Sequence, residues 1–386
     1  MKTGFFNGIL ILISVGAALL LGEIVLRAFG TDNYYVYPPN LMRTFKPLPG
    51  VMPGITGESR FAINESGMRG DPYPEDGRHG ILAIGGSTTI CTYLDQSEAW
   101  PQLLQDKLNN VGESDVWVGN VGRSGHNTRH HLFQVEKLLE QYPRTELIVL
   151  LIGANDLSMR LKNDVNFRPM SEEGQLYSEK LMYQSFSVYP VKETALPFYY
   201  KNTEIWRLLR QAKREIASRF GESRVEDNAG IVYEERRRRR ANPAKILNSL
   251  PDITSALDEY AQNIHRIIDL AEERGIRIVF MTQPAMWRLD LPESLSDLLW
   301  LGGIGDYQNV SNKPYYSAGA LADALEMYNE TLLNVCSARS VDCLDLAPLV
   351  PKDATAFFDD VHFNEQGARI VADAVAQYLL ENNIVD

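Results

Sequence analysis

From Gly80 to the C-terminus, short apolar runs of β-type residues alternate with stretches in which apolar residues recur every three or four positions. The runs cover residues 81–84, 116–121, 147–152, 276–282 and 341–346. Residues 255–274 give the clearest helical pattern, which Gly275 ends, and a last helix begins after Asn364. This alternation predicts an α/β fold, with a parallel sheet between two helical layers. Right-handed crossovers then place the strand C-termini along one edge, where ligands usually bind.

One connection is too long for a simple crossover, because about 120 residues separate the third run from the fourth, far beyond the usual structureless loop. We therefore expect residues 157–250 to form an insertion with structure of its own. The spacing of its apolar residues predicts at least one helix there, carrying Ile205, Leu208, Leu209, Ala212 and Ile216.

The insertion also carries a concentration of positive charge. Residues 207–240 contain 11 basic and 6 acidic residues, a net +5, which leaves −17 for the rest of a chain whose total is −12. The run from Arg236 to Arg240 is its centre. It is either a solvated helix face paired with Glu234 and Glu235, or a contact for anionic lipid headgroups or an anionic glycan.

The N-terminal segment has no charged residue from Thr3 to Gly22, with Lys2 before it and Glu23 and Arg27 after it. As a helix these residues would span about 30 Å, the thickness of a bilayer's hydrocarbon core. We predict a single-pass transmembrane helix, an uncleaved signal anchor, over residues 1–30; a cleaved signal peptide and a soluble helix remain alternatives. Lys2 favours an N-terminus inside and a body that is extracytoplasmic, in the periplasm or at the cell surface.

Residues 31–79 are rich in Pro, Gly and Tyr and show no helical period. They predict a stalk and a small β-hairpin around residues 60–68 with its turn at 64–67. Residues 80–386 then form the main domain. Cys336 and Cys343 could pair in an oxidising compartment or remain buried thiols, and Cys91 would be left over.

The composition is that of a globular protein, with 45% hydrophobic and 23% charged residues. The 38 basic and 50 acidic side chains give an acidic balance. Nucleic acid is therefore not an expected partner, since its phosphates require a basic face.

Polar motifs follow the first three predicted strands. Gly85-Gly86-Ser87 ends the first, where two glycines allow a tight turn and backbone N–H groups would surround a serine nucleophile. Residues 120–128 end the second and residues 153–156 the third. A glycine N–H and an asparagine amide from these segments, with the Ser87 N–H, would form a three-donor oxyanion hole.

After the fifth strand, Asp359 precedes His362 by three residues. An aspartate at this spacing can hold one imidazole nitrogen and leave the other to accept the serine proton. The adjacent His130 and His131 do not predict a metal site, because neighbours on a helix point in different directions and no carboxylate spacing supports them.

Together, the four blocks Gly85 to Ser87, Asn120 to Thr128, Gly153 to Asp156 and Asp359 to His362 resemble the SGNH hydrolases, or GDSL-like esterases and lipases, of a membrane-anchored bacterial type. The resemblance implies a three-layer α/β/α, flavodoxin-like fold without a metal or organic cofactor. It also implies catalytic roles for Ser87, Asp359 and His362, and an oxyanion hole of Ser87, Gly125 and Asn155. Gly122 competes with Gly125 and Asp360 with Asp359, and Gly86 departs from the Asp of the family's motif.

The resemblance implies a serine esterase that forms an acyl-enzyme. The expected substrate is an acylated small molecule or a glycan, such as an O-acetylated carbohydrate at the cell surface or in transit to it. A carbohydrate O-acyltransferase with the same triad and a non-catalytic glycan-binding or assembly factor are the alternatives. Trp287 and the Gln283-Pro284 turn could line the site or simply pack.

Overall fold

The structure is a computed structural model that describes residues 2–29, 33–74, 79–111, 115–190, 203–219, 224–305 and 312–385. Outside the described residues lie Gly30, the expected end of the anchor, and residues 191–202 and 220–223 of the expected insertion.

Within these ranges the strands are β1 (Met42–Pro47), β2 (Ser59–Ala62), β3 (His79–Gly85), β4 (Val116–Asn120), β5 (Thr145–Leu151), β6 (Arg224–Ala229), β7 (Lys245–Leu247), β8 (Arg277–Met281), β9 (Pro314–Tyr316) and β10 (Asp342–Leu344). The α-helices are α1 (Lys2–Phe29), α2 (Ser87–Ile90), α3 (Trp100–Val111), α4 (Thr128–Gln141), α5 (Ala154–Asn163), α6 (Met170–Glu173), α7 (Gln175–Ser185), α8 (Glu204–Arg219), α9 (Ile231–Ala241), α10 (Thr254–Glu272), α11 (Glu293–Ser296), α12 (Ala318–Arg339) and α13 (Glu365–Glu381).

Five parallel strands form the central sheet in the order β10-β8-β5-β3-β4, which confirms the predicted five-stranded parallel sheet. Residues 81–84 of β3 and 148–151 of β5 are no more than 1% exposed. Both faces of these strands are covered by helices, which is why their sequences are continuous apolar runs rather than alternating ones.

The helices around this sheet form two groups. Helix α3 packs against α13, whereas α10 packs against α4 and α12. Right-handed crossovers with this strand order place the two groups on opposite faces, giving the predicted three-layer α/β/α sandwich.

The order of the strands also determines where a ligand can bind. The chain leaves β3 for β4 on one side and then crosses to β5 on the other side of β3. This reversal opens a crevice at the carboxyl ends of β3 and β5. Ser87 follows β3 and Asn155 follows β5, so both residues lie at this crevice.

A second, three-stranded sheet has the order β2-β1-β6, with β1 antiparallel to β2 and parallel to β6. The expected turn at residues 64–67 is present, closed by a 3.1 Å bond from Gly67 N to Asn64 O. Tyr34, Val36 and Met68 are buried in the main core. Residues 33–74 thus lie against the sandwich, where the sequence suggested a stalk.

The region after β5 contains α6 to α9 and the predicted helix carrying Ile205 and Ile216, which is α8. It also supplies β6 and β7, two strands that the sequence pattern did not predict. Strand β6 joins the second sheet, and β7 pairs with β9.

Helix α1 is the one stretch in the described part of the chain that is long and apolar enough to cross a membrane, over Phe6–Ala28. Most of its apolar side chains between Phe6 and Val25 are exposed rather than packed on the domain. Length and composition fit either a membrane anchor or a signal sequence. Of the cysteines, Cys336 and Cys343 form a disulfide and Cys91 is a buried free thiol.

Candidate active site

Ser87 begins α2 immediately after the turn that ends β3. Neither glycine of this turn has room for a side chain unless a neighbouring group moves. A Cβ on Gly85 would lie 2.8 Å from the Leu151 carbonyl oxygen, and one on Gly86 would collide with Asn155 Nδ2. The amide of Asn155 thus occupies the space into which a residue larger than glycine would project at position 86.

The imidazole of His362 lies between Ser87 and Asp359. His362 Nε2 is 2.7 Å from Ser87 Oγ, and His362 Nδ1 is 2.7 Å from Asp359 Oδ2. A proton on Nδ1, donated to the carboxylate, leaves Nε2 as an acceptor for the serine hydroxyl. The structure therefore brings the three predicted side chains into one hydrogen-bonded chain.

Asp359 is fully buried, yet its carboxylate is well satisfied. It accepts bonds from the His362 ring and backbone, from Val361 N at 3.0 Å and from Trp300 Nε1 at 2.9 Å. Burial alone would raise the pKa of Asp359, but the charge of His362 and the bonds from His362 and Trp300 outweigh it and hold that pKa below its ordinary value. The carboxylate thus stays ionised beside the imidazole.

The sequence left Asp360 as an alternative to Asp359 for the partner of the imidazole. In the structure the two carboxylates have different hydrogen-bond partners. Asp360 accepts from Trp287 Nε1 at 2.8 Å, Trp300 N at 2.7 Å and Leu301 N at 3.1 Å. Burial raises its pKa against the lowering effect of the Arg240 charge. Asp360 therefore holds the loop at residues 300–301 in place, whereas Asp359 contacts the imidazole.

Gly125 and Asn155 lie at the same cavity as Ser87. Asn155 Nδ2 donates one bond to His126 O at 2.7 Å, which orients the amide. Gly125 has a φ of +80°, a conformation that favours glycine. The alternative, Gly122, donates its N–H to Asn120 Oδ1 at 3.0 Å. Its amide is thus already engaged.

A buried carboxylate connects the two segments that carry Gly125 and Asn155. Asp156 accepts from Thr128 Oγ1 at 2.5 Å and from Thr128 N at 3.1 Å, at the start of α4. Burial raises the pKa of Asp156 to about 7, against the lowering effect of the Thr128 bonds. Asn263 Nδ2 adds a bond to Thr128 Oγ1 at 3.1 Å. This network fixes the start of α4 to the start of α5.

Three histidines lie at or near the start of α4. The rings of His126 and His130 stack with centroids 4.4 Å apart, and His131 Nδ1 is 2.9 Å from Gln134 Oε1. Burial lowers the pKa of His130 to about 3 and that of His131 to about 4, and it takes the pKa of His126 well below its ordinary value. All three imidazoles are therefore neutral at pH 7, and in the described residues no group of three or more metal-ligating side chains is placed to hold a metal ion.

Ser87 and His362 open into a cavity of about 570 Å³. Its walls include Tyr93, Tyr233 and Trp300, and its volume suits a ligand of modest size. Trp287 also lines it while bonding to Asp360, so both expectations for Trp287 apply.

The arginine run lies on α9, and only part of it forms the expected solvated face paired with acidic residues. Arg237 donates to three backbone carbonyls, those of Val51, Leu298 and Phe358. Arg240 reaches the Tyr316 carbonyl at 2.9 Å and also donates to the Leu301 carbonyl. The predicted pairing with acidic residues is present for Arg239, which contacts Glu235. Two of the five arginines thus hold loops around the site together.

Sequence reasoning missed Trp300, and it named Arg236 only as part of the basic run, without placing it at the site. The Trp300 ring lies parallel to the His362 ring with centroids 6.5 Å apart, and the Arg236 guanidinium lies 4.3 Å from the centre of the Trp300 ring. Both residues come from segments outside the four blocks, and they reach the site only through the tertiary fold. No local sequence signal marks Trp300.

With this geometry in place, comparison with known proteins defines the class of protein. Residues 83–370 match the sequence model of the GDSL-like lipase/acylhydrolase family. The match covers most of the chain, so the protein belongs to this family and is a hydrolase that acts on ester bonds. Comparison with curated protein sequences gives no match.

Several solved structures are similar in outline. An acetylxylan esterase from Geobacillus stearothermophilus is 14% identical, with a TM-score of 0.41 over 78% of this chain and 94% of that one. A psychrotrophic esterase from Pseudoalteromonas is 13% identical, with a TM-score of 0.38 over 80% and 100%. A carbohydrate acetylesterase family member from Sinorhizobium meliloti is 12% identical, with a TM-score of 0.40 over 79% and 99%.

Proposed function

We propose that the protein is a serine esterase in which Ser87 is the nucleophile, His362 the base and Asp359 the residue that orients it. The hydrogen-bonded chain from Asp359 through His362 to Ser87, open to the cavity, supports this assignment. A nucleophile within hydrogen-bond reach of a base that a third group orients is the arrangement that acyl transfer requires.

In the proposed reaction, Ser87 Oγ attacks the carbonyl carbon of the ester while His362 Nε2 accepts the hydroxyl proton. The tetrahedral intermediate collapses to an acyl-enzyme, and His362 returns the proton to the departing alcohol. Water then attacks the acyl-enzyme with His362 again as the base, releasing the acid and restoring Ser87. Asp359 stabilises the imidazolium during both steps.

The negative oxygen of each intermediate would be held by the N–H groups of Ser87 and Gly125 and by Asn155 Nδ2. Helix α2 has a single turn, so its dipole is small and the individual N–H groups must supply the stabilisation. One such donor is worth about 3 to 4 kcal/mol of activation free energy.

We place the substrate among O-acetylated or otherwise short-acylated carbohydrates at the cell surface or in export. The cavity is limited in volume, and its aromatic walls offer flat apolar surfaces beside Ser87. A disulfide between Cys336 and Cys343 is typical of an oxidising, extracytoplasmic compartment. The corresponding organisation is an anchor at residues 1–30, an N-terminal segment at 31–79, and a catalytic domain at 80–386 with an insertion at 157–250.

The experiment is hydrolysis of p-nitrophenyl acetate and of an acetylated polysaccharide by the full chain and by Ser87→Ala. We expect Ser87→Ala to lose activity on both substrates, while Ser296→Ala, at an exposed serine outside the cavity, retains it. Equal acid release by the wild type and Ser87→Ala would contradict the proposal.

The same assay separates hydrolysis from transfer. An esterase releases acid at a rate that an added sugar acceptor does not raise. If turnover instead required the acceptor and yielded an acylated sugar, the protein would be an O-acyltransferase. A protein that bound the polysaccharide without either reaction would be a binding factor.

A further inference from the structure

A residue of the penultimate turn of α1, Glu23, is bonded to the first turn of α8. Glu23 Oε1 accepts a bond from Glu204 N at 3.0 Å, and Glu23 Oε2 accepts one from Ile205 N at 3.2 Å. Arg27 Nε donates to Glu23 Oε1 at 2.8 Å and orients the carboxylate. The initial N–H groups of a helix have no partner within the helix, and a carboxylate is well suited to bind them. The start of α8 is therefore fixed to the end of α1.

These bonds determine how deep α8 lies in the bilayer whenever α1 spans it. The uncharged segment from Thr3 to Gly22 fills about 30 Å of hydrocarbon, and Glu23 is the first charged residue after it. A charged side chain at the end of a spanning helix lies in the headgroup region. Helix α8 then begins at the membrane surface.

Helix α8 has the character of a helix that lies in such a surface. Its sequence contains five basic and two acidic residues, a net charge of 5 − 2 = +3. Leu208, Leu209 and Ile216 nevertheless remain 42%, 61% and 56% exposed, at spacings that place them on one face. A basic helix with an exposed apolar face is typical of interfacial helices, which bury that face at the boundary between headgroups and acyl chains.

Two arginines of the run on α9 do not compete for this role. Arg237 and Arg240 on α9 are engaged by backbone carbonyls near the active site. The helix bonded to the anchor is α8, and the sign of its net charge complements an anionic leaflet.

We propose that α8 is a second membrane contact, lying in the headgroup region of an anionic bilayer with Leu208, Leu209 and Ile216 against the acyl chains. Helix α1 tethers the chain, and α8 holds the domain against the surface. The inference goes beyond ester hydrolysis, and it rests on the proposed membrane location, that is, on retention of α1.

The test uses the full chain with Leu209→Cys, carrying a nitroxide label, in vesicles of phosphatidylcholine with and without phosphatidylglycerol. Paramagnetic resonance compares relaxation of the label by oxygen, which partitions into lipid, with relaxation by a water-soluble nickel chelate. The matched control is Leu289→Cys, at a leucine 91% exposed on the catalytic domain. The unsubstituted chain, whose free Cys91 is buried, serves as the labelling blank.

We expect the ratio of oxygen to nickel relaxation to be several-fold higher at position 209 than at position 289, and to rise when phosphatidylglycerol is present. Equal ratios at both positions would overturn the proposal, because α8 would then lie in water. A label at 209 reached by neither reagent would also overturn it, since protein would cover the face. A ratio insensitive to phosphatidylglycerol would overturn the assignment to an anionic surface. The readout does not depend on Ser87, so it fails or succeeds independently of the proposed esterase.

Discussion

Replacing Gly86 with alanine should disable the proposed oxyanion hole while leaving the protein folded. The φ of Gly86 is −88°, which lies outside the left-handed region that favours glycine. The new Cβ would collide with Asn155 Nδ2 and would lie 3.4 Å from His126 O. Because Nδ2 is at the far end of a side chain, the collision is relieved when the Asn155 amide rotates away and breaks its 2.7 Å bond to His126 O.

The expected cost is that of one oxyanion donor, about 10²- to 10³-fold in kcat, or about 3 to 4 kcal/mol. The assay is kcat for p-nitrophenyl acetate, with thermal unfolding as the check that Gly86→Ala is folded. Asn155→Ala should lose a similar factor, since it removes the same donor.

The double variant Gly86→Ala, Asn155→Ala provides the decisive comparison. Once Asn155 is truncated, the alanine at position 86 has nothing to displace, so the double variant should be no slower than Asn155→Ala alone. If the two losses multiplied, or if Gly86→Ala retained wild-type kcat, the assignment of Asn155 through its contact with Gly86 would be refuted.

Three further predictions concern the surroundings of the site. Trp300→Phe keeps a ring but removes the bond to Asp359, and should lower kcat/KM about tenfold, or 1.4 kcal/mol; unchanged steady-state kinetics would argue against a positioning role. Reducing the Cys336–Cys343 disulfide should lower the free energy of unfolding in urea by about 2 kcal/mol, since it closes a short loop; an unchanged urea midpoint would contradict this. Burial lowers the pKa of His131 to about 4 in the folded protein, whereas the imidazole of the unfolded chain has its ordinary pKa of 6.5. Between these two pH values the unfolded chain binds more protons than the folded one, so stability falls as the pH drops from 6.5 toward 4. His131→Gln should reduce that slope by up to about 1.4 kcal/mol per pH unit, and an identical slope would be inconsistent with a buried neutral imidazole.

The central sheet was predictable because its strands are buried on both faces. Residues 81–84 and 147–152 form continuous apolar runs, which can be recognised from the local sequence pattern. The second sheet was not predictable in this way. Its pairing of Arg43 with Arg224 joins segments that are 181 residues apart (224 − 43), and neither strand has a distinctive apolar pattern.

The candidate site shows the same division. Ser87 and Asn155 could be placed together because parallel strands end at one edge, and Asp359 and His362 because they share one turn. The bond from Trp300 to Asp359 depends on a loop reaching across the site, which no local pattern encodes. The partners of Arg237 were hidden for a related reason: three backbone carbonyls from separate segments have no signature in the sequence.

The most direct test of the proposed mechanism is covalent labelling of the full chain with a serine-reactive phosphonate, followed by peptide mass spectrometry. The geometry around His362 Nε2, 2.7 Å from Ser87 Oγ, predicts one phosphonate on Ser87 and parallel loss of ester hydrolysis. His362→Ala should label far more slowly, because the base is missing. Full inactivation with Ser87 unmodified, or labelling of Ser87 without any loss of hydrolysis, would contradict the assignment of Ser87 as the nucleophile.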